Sequence, residues 1–140
     1  MRAKSKLLSV LVPLVLATSA CKKDGEVQET LDLLDKHGKE MAGKVKSASD
    51  KKAGVADAQK YLDSNKDDMT KRLKDLGELR GFQVSEEMQT KMASGIVDAM
   101  FACTTIQTDL IGETMSDDDL DKALDKLCKD WEGIVSSAGG

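Results

Sequence analysis

Three cysteines, one histidine and several methionines are the side chains of this 140-residue chain best suited to chemistry. Cys103 and Cys128 are 25 positions apart, and their midpoint falls between residues 115 and 116. In an antiparallel hairpin turning there, residues equidistant from the turn stand at the same height. A disulfide between Cys103 and Cys128 is therefore geometrically reasonable. Two separate buried thiols, behaving as small apolar residues, are the alternative. No Cys-x-x-Cys spacing is present to depress a thiol pKa, which argues against a redox-active pair. His37 is the only histidine. One imidazole cannot supply the two or three ligands that a zinc site recruits, and its place beside Leu34 and Met41 predicts a helix flank.

A haem or copper site would have to combine His37 with core methionines, among them Met88, Met92 and Met100. Helix bundles host such sites between facing helices, and thioether sulfur suits copper(I). No Cys-x-x-Cys-His attachment motif exists, however, and Met88 and Met92 fall on a buried helical period, where methionine ordinarily fills a core. The run Asp117, Asp118, Asp119 with Asp121 lacks the alternating ligands and glycine of a calcium loop. A serine nucleophile needs a positioned base, and no carboxylate is marked by an apolar setting that would raise its pKa. The inventory predicts no catalytic residue, no metal site and no cofactor. A small-ligand or metal carrier is the alternative reading.

The elements that must position these residues are helices. Beyond residue 20 the chain has no proline and few aromatic residues (Tyr61, Phe82, Phe101 and Trp131), and helix formers dominate it. Val27, Leu31, Leu34, Met41 and Val45 form a first stripe at helical spacing, with Gly38 in its gap. Val55, Ala58 and Leu62, then Met69, Leu73 and Leu76, continue the pattern. Ser64 with Asp67 resembles a capping box, so two helices joined at Ser64 and one long helix both fit. Gly81 suits a helix end, and Ser85 before Glu86 and Glu87 suits a start. Met88, Met92, Ile96, Ala99, Cys103, Ile106 and Leu110 make the longest stripe, closed by Gly112. Ser116 is the expected N-cap of the last helix, with Met115 stapling onto Leu120. Leu120, Leu124, Leu127, Trp131 and Ile134 line its buried side. No strand pattern and no repeat occurs. The expected fold is all-α, an antiparallel helix bundle of four to five helices over residues 26–136, with 137–140 as a frayed tail.

The first twenty residues differ. Arg2, Lys4 and Lys6 form a basic head, and "LLSVLVPLVLA" is apolar for eleven residues, interrupted only by Ser9 and Pro13. That is too short for a membrane span of about 20 residues, but it has the form of a secretory signal peptide, residues 1–20. The following Ser19, Ala20 and Cys21 resemble the cleavage site of bacterial lipoproteins, whose signal is cut before a cysteine that then carries lipid. Thr18 stands where that pattern usually has an aliphatic residue, which leaves ordinary cleavage after Ala20 as the alternative. The resemblance covers residues 1–21 only. It implies lipidation of Cys21, residues 21–25 as anchor and short tether, and attachment to a membrane of the bacterial cell envelope. Lys22 and Lys23, where the enteric retention signal would place aspartate, imply the outer membrane.

If lipid consumes Cys21, Cys103 and Cys128 remain as an even pair in an oxidising compartment. Removing Arg2, Lys4 and Lys6 from the 21 basic residues leaves 18 against 25 acidic ones, a balance of −7. Such a surface repels nucleic acid and anionic lipid. What remains is a non-catalytic, lipid-anchored helical module that acts by binding an envelope protein partner.

Overall fold

A computed structural model describes residues 23–139 of the chain. Cys21 and residues 1–20, expected to be a signal peptide, lie outside the described residues. The chain is an all-α bundle of four long helices and one short one: α1 (Asp24–Ser47), α2 (Lys51–Gly77), α3 (Glu86–Asp109), α4 (Ile111–Thr114) and α5 (Asp118–Ser136). Every apolar residue of the α1, α2 and α5 stripes is buried, whereas Met92 and Ile96 of the α3 stripe are only partly so.

Local chemistry sets the ends. Acidic Asp24 and Glu26 open α1, and Lys44 and Lys46 close it, each suited to its end of the helix dipole. The α1–α2 turn takes only three residues. Asp50 caps α2 by accepting from the Lys52 and Ala53 backbone N–H groups at 2.9 and 3.3 Å. Lys51 Nζ donates to the Val45, Lys46 and Ala48 carbonyls at the end of α1, satisfying acceptors that the helix itself cannot. Gly54 is required here. A Cβ at this position would lie 2.7 Å from Ala48 Cβ and 2.9 Å from the Lys44 carbonyl oxygen.

Residues 51–77 form a single helix. Ser64 Oγ donates back to the Lys60 carbonyl at 2.8 Å and caps nothing, because the Val55–Leu62 and Met69–Leu76 stripes dock on the same side of one continuous rod. Ser85 caps α3 as expected, accepting from Met88 N–H at 3.2 Å. The last helix is capped by Asp117 and not by Ser116. Asp117 accepts from Asp119 and Leu120 N–H at 3.1 Å each and is also gripped by Lys52 Nζ at 3.0 Å, a tertiary partner that shifts the cap one position. Met115 is 83% exposed and makes no staple. The expected tail is in part a 3-10 turn, Ser137–Gly139, packed on the end of α2.

Consecutive long helices run antiparallel, but two sides of the bundle are parallel. Lys23 N–H donates to the Gln83 carbonyl, and Ser85 N–H to Asp24 Oδ1, so α1 and α3 start at one end. The Lys52–Asp117 pair brings the starts of α2 and α5 together at the other. Around the bundle the order is α1, α2, α5, α3, and each helix packs on its two neighbours. Trp131 of α5, wholly buried, crosses the centre. Its Nε1–H donates to the Ala99 carbonyl of α3 at 2.7 Å. The far edge of its indole lies 3.5 Å from where a Cβ on Gly38 would be. The largest core side chain thus passes beside the glycine of the α1 stripe at a distance that leaves space for a methyl group.

Candidate functional site

Cys103 and Cys128 form a disulfide joining α3 to α5, with Cα atoms 5.5 Å apart. Both residues are buried. The alternative of two separate thiols does not hold. The bond is a structural staple between helices that otherwise leave a groove between them.

His37 lies in the α1–α2 interface and not on a helix flank; it is only 6% exposed. Its Nδ1 is 2.7 Å from Tyr61 Oη, and the two rings are tilted with centroids 5.5 Å apart. Lys44 Nζ stands 5.4 Å from the Tyr61 ring centre, within cation–π range. Burial, with the positive charge of Lys36, lowers the His37 pKa against the opposing pull of Asp68 and Glu40. Burial, with Glu40, raises that of Tyr61. The imidazole is therefore neutral at neutral pH, and one of its nitrogens is engaged by the phenol. Met88 is buried in the core, Met92 partly so, and Met100 faces outward. Among the described residues no group of three or more His, Cys, Asp or Glu is placed to hold a metal ion. Asp117 acts as cap and as partner of Lys52, whose hydrogen bond lowers its pKa.

The feature that no single residue announced is the outer surface of α3. Between Lys91 and Asp109 the helix carries one charge, Asp98, in a chain that is 33% charged. At about 100° per residue its outward residues divide into two flanks. Asp98, Asp109 and, beyond the helix, Glu113 fall on the α1 side. There they border two grooves of about 410 and 490 Å³, whose floor includes Gly38, Ala42, Gly95 and Ala102. The other flank is uncharged. Val97, Phe101, Thr104 and Thr108 follow at intervals of four, three and four residues, and Ile111 continues the spacing into α4. Val97 is 50% exposed, Phe101 59% and Ile111 61%. Thr104, Thr108 and Ile111 share a groove of about 300 Å³ with Asp121, Leu124 and Asp125 of α5.

The chain matches no protein-family model, no curated protein and no solved structure. The reading of function therefore rests on this surface and its chemistry. The apolar members of this strip, Val97, Phe101 and Ile111, are separated by Thr104 and Thr108, and their exposed apolar area has a solvation cost of about 25 cal/mol per Å². The alternating four- and three-residue spacing is that of a seam read by a second helix. Residue spacing made this strip detectable in the sequence, but the stronger buried stripe of the same helix masked it. No helix among the described residues is long and apolar enough to cross a membrane.

Proposed function

We propose that this chain is a non-catalytic binding module of the bacterial envelope, anchored to the outer membrane by lipid on Cys21. Its uncharged α3 strip receives an amphipathic helix of a partner protein. The observation that carries the reading is the exposed seam Val97, Phe101, Thr104, Thr108 and Ile111, which no element of the chain covers among the described residues. The partner helix presents an apolar stripe to this seam, as in helix-in-groove recognition. Its flank carries a basic residue opposite Asp121, since Asp125 on the same bank is already paired with Lys129 at 2.7 Å and the mature chain is acidic overall. Charge of this kind sets orientation and encounter rate more than affinity.

A photo-crosslinking amino acid placed at Val97 or Thr104 in growing cells tests the reading. A discrete adduct is expected from both positions and none from Lys60, which is exposed on α2. Phe101→Glu, which puts a charge into the seam, removes the adduct. Equal adducts from all three positions, or an adduct indifferent to Phe101→Glu, overturn the assignment. Anchoring is checked by feeding an alkynyl fatty acid, whose label must vanish in Cys21→Ser.

A further inference from the structure

We infer that the turn carrying Phe82 is a membrane-contact point that seats the bundle end-on against phospholipid. This rests on the proposed acylation of Cys21. Phe82 is 78% exposed on the 3-10 turn Gly81–Gln83 between α2 and α3. The Gln83 carbonyl accepts the backbone N–H of Lys23 at 2.6 Å, and Asp24 Oδ1 accepts that of Ser85 at 2.9 Å. The start of α1 is thus tied to this turn from both sides, and helix begins at Asp24, inside the stretch expected to be tether. Two residues of chain span at most about 7 Å. A lipid on Cys21 therefore brings the bilayer surface to the turn itself.

Part of the turn's backbone is satisfied within the protein. Arg80 N–H donates to Gln83 Oε1, Gln83 N–H to the Arg80 carbonyl, and Gln89 Nε2 to the Gly81 and Val84 carbonyls. These backbone groups have partners within the protein, so bringing them toward lipid leaves none of them orphaned. The aromatic ring is what the turn presents outward, and an apolar phenylalanine ring can enter the boundary between headgroups and acyl chains. Charge does not drive the contact. Lys23 is paired with Glu26 at 2.7 Å and Lys91 with Glu87 at 2.9 Å, and Glu78 and Glu86 stand near Arg80 in sequence. The ligand is accordingly zwitterionic phospholipid, contacted through its acyl–headgroup boundary.

The acylated full-length mature chain carrying Phe82→Trp is reconstituted in phosphatidylcholine vesicles with brominated acyl chains. Wild-type protein reports the background, since Trp131 is fully buried, and Met115→Trp reports the opposite end of the bundle. Expected is flotation of all three proteins, with bromine quenching most of the added emission of Phe82→Trp, leaving Met115→Trp unquenched, and changing little with salt. Flotation without quenching of Phe82→Trp overturns this inference and leaves the anchor standing, as does a blue shift without quenching, which signals protein contact. Quenching that salt abolishes refutes the apolar mode. Failure of the wild-type chain to float overturns the anchor and this inference together.

Discussion

Reducing the Cys103–Cys128 bond is the perturbation whose magnitude the structure constrains best. The bond closes a loop of 25 residues, and the chain-entropy relation for that length gives about 3.5 kcal/mol of stabilisation. For the 120 residues from 21 to 140 the unfolding entropy is about 0.25 kcal/mol/K, so reduction should lower the melting temperature by about 14 °C. Both residues are buried, so reductant reaches the bond only when the bundle opens. The protein is therefore reduced in denaturant and refolded with phosphine present, then melted beside the oxidised form by far-ultraviolet circular dichroism. The loss should also be uneven. α3 holds α5 across a groove, so amide protection in α3 should fall before that in the α1–α2 hairpin. Two alkylatable thiols in protein never exposed to reductant would refute the pairing. A temperature shift under a third of the expected value would refute the claim that the loop constraint matters.

Two further outcomes follow from particular contacts. Gly38→Ala should stabilise by about 0.5–1 kcal/mol, because the new methyl meets Ala102 and Trp131 at an ordinary 3.5 Å while backbone entropy in the unfolded chain falls. Gly54→Ala should destabilise by about 1 kcal/mol or more, since its Cβ would press on the α1 backbone; urea titrations giving the two changes the same sign would contradict the packing described. His37 has a pKa lowered in the fold by burial first, so the unfolded chain takes up a proton near pH 6.5 that the native chain refuses. Stability contributed by the neutral ring is complete above about pH 6.5 and is lost progressively as the pH falls toward the lower native pKa. His37→Gln should flatten that part of the stability profile, and unchanged slopes would show that another group titrates there.

How legible these features were depends on whether the signal was local. α5 separates apolar from charged residues cleanly, and its five expected core positions are all buried. The cysteine pair was readable because a hairpin maps sequence symmetry onto height. Asp117 replaced Ser116 as cap because both residue types cap well and the choice was made by Lys52, 65 positions earlier. His37 was misplaced for the same kind of reason: its partner Tyr61 sits on another helix, and periodicity says nothing of register between helices. Nor does it reveal that α1 and α3 run parallel. That arrangement comes from the long connection over the bundle end, held by Lys23, Asp24 and the Gln83–Ser85 turn.

The disulfide and the exposed strip belong to one physical problem. An ordinary bundle helix is apolar on the side it buries and charged on the other. α3 carries little charge on its outer side, and much of its inner surface is small: Gly95, Ala99 and Ala102 let it lie close to α1, with Gly95 leaving room for Leu31. Small residues bring little area out of water, so α3 gains less from burial than α2 or α5 does. Val97, Phe101 and Ile111 cannot make up the difference, because they point away from the core. Detachment of α3, or its rotation to hide that strip, would break the contacts that hold it. The covalent link to Cys128 and the Trp131 hydrogen bond to Ala99 oppose both movements. They fix α3 with its apolar seam outward. The staple thus also helps hold the orientation that leaves this strip exposed, and the partner helix proposed above would find it already formed.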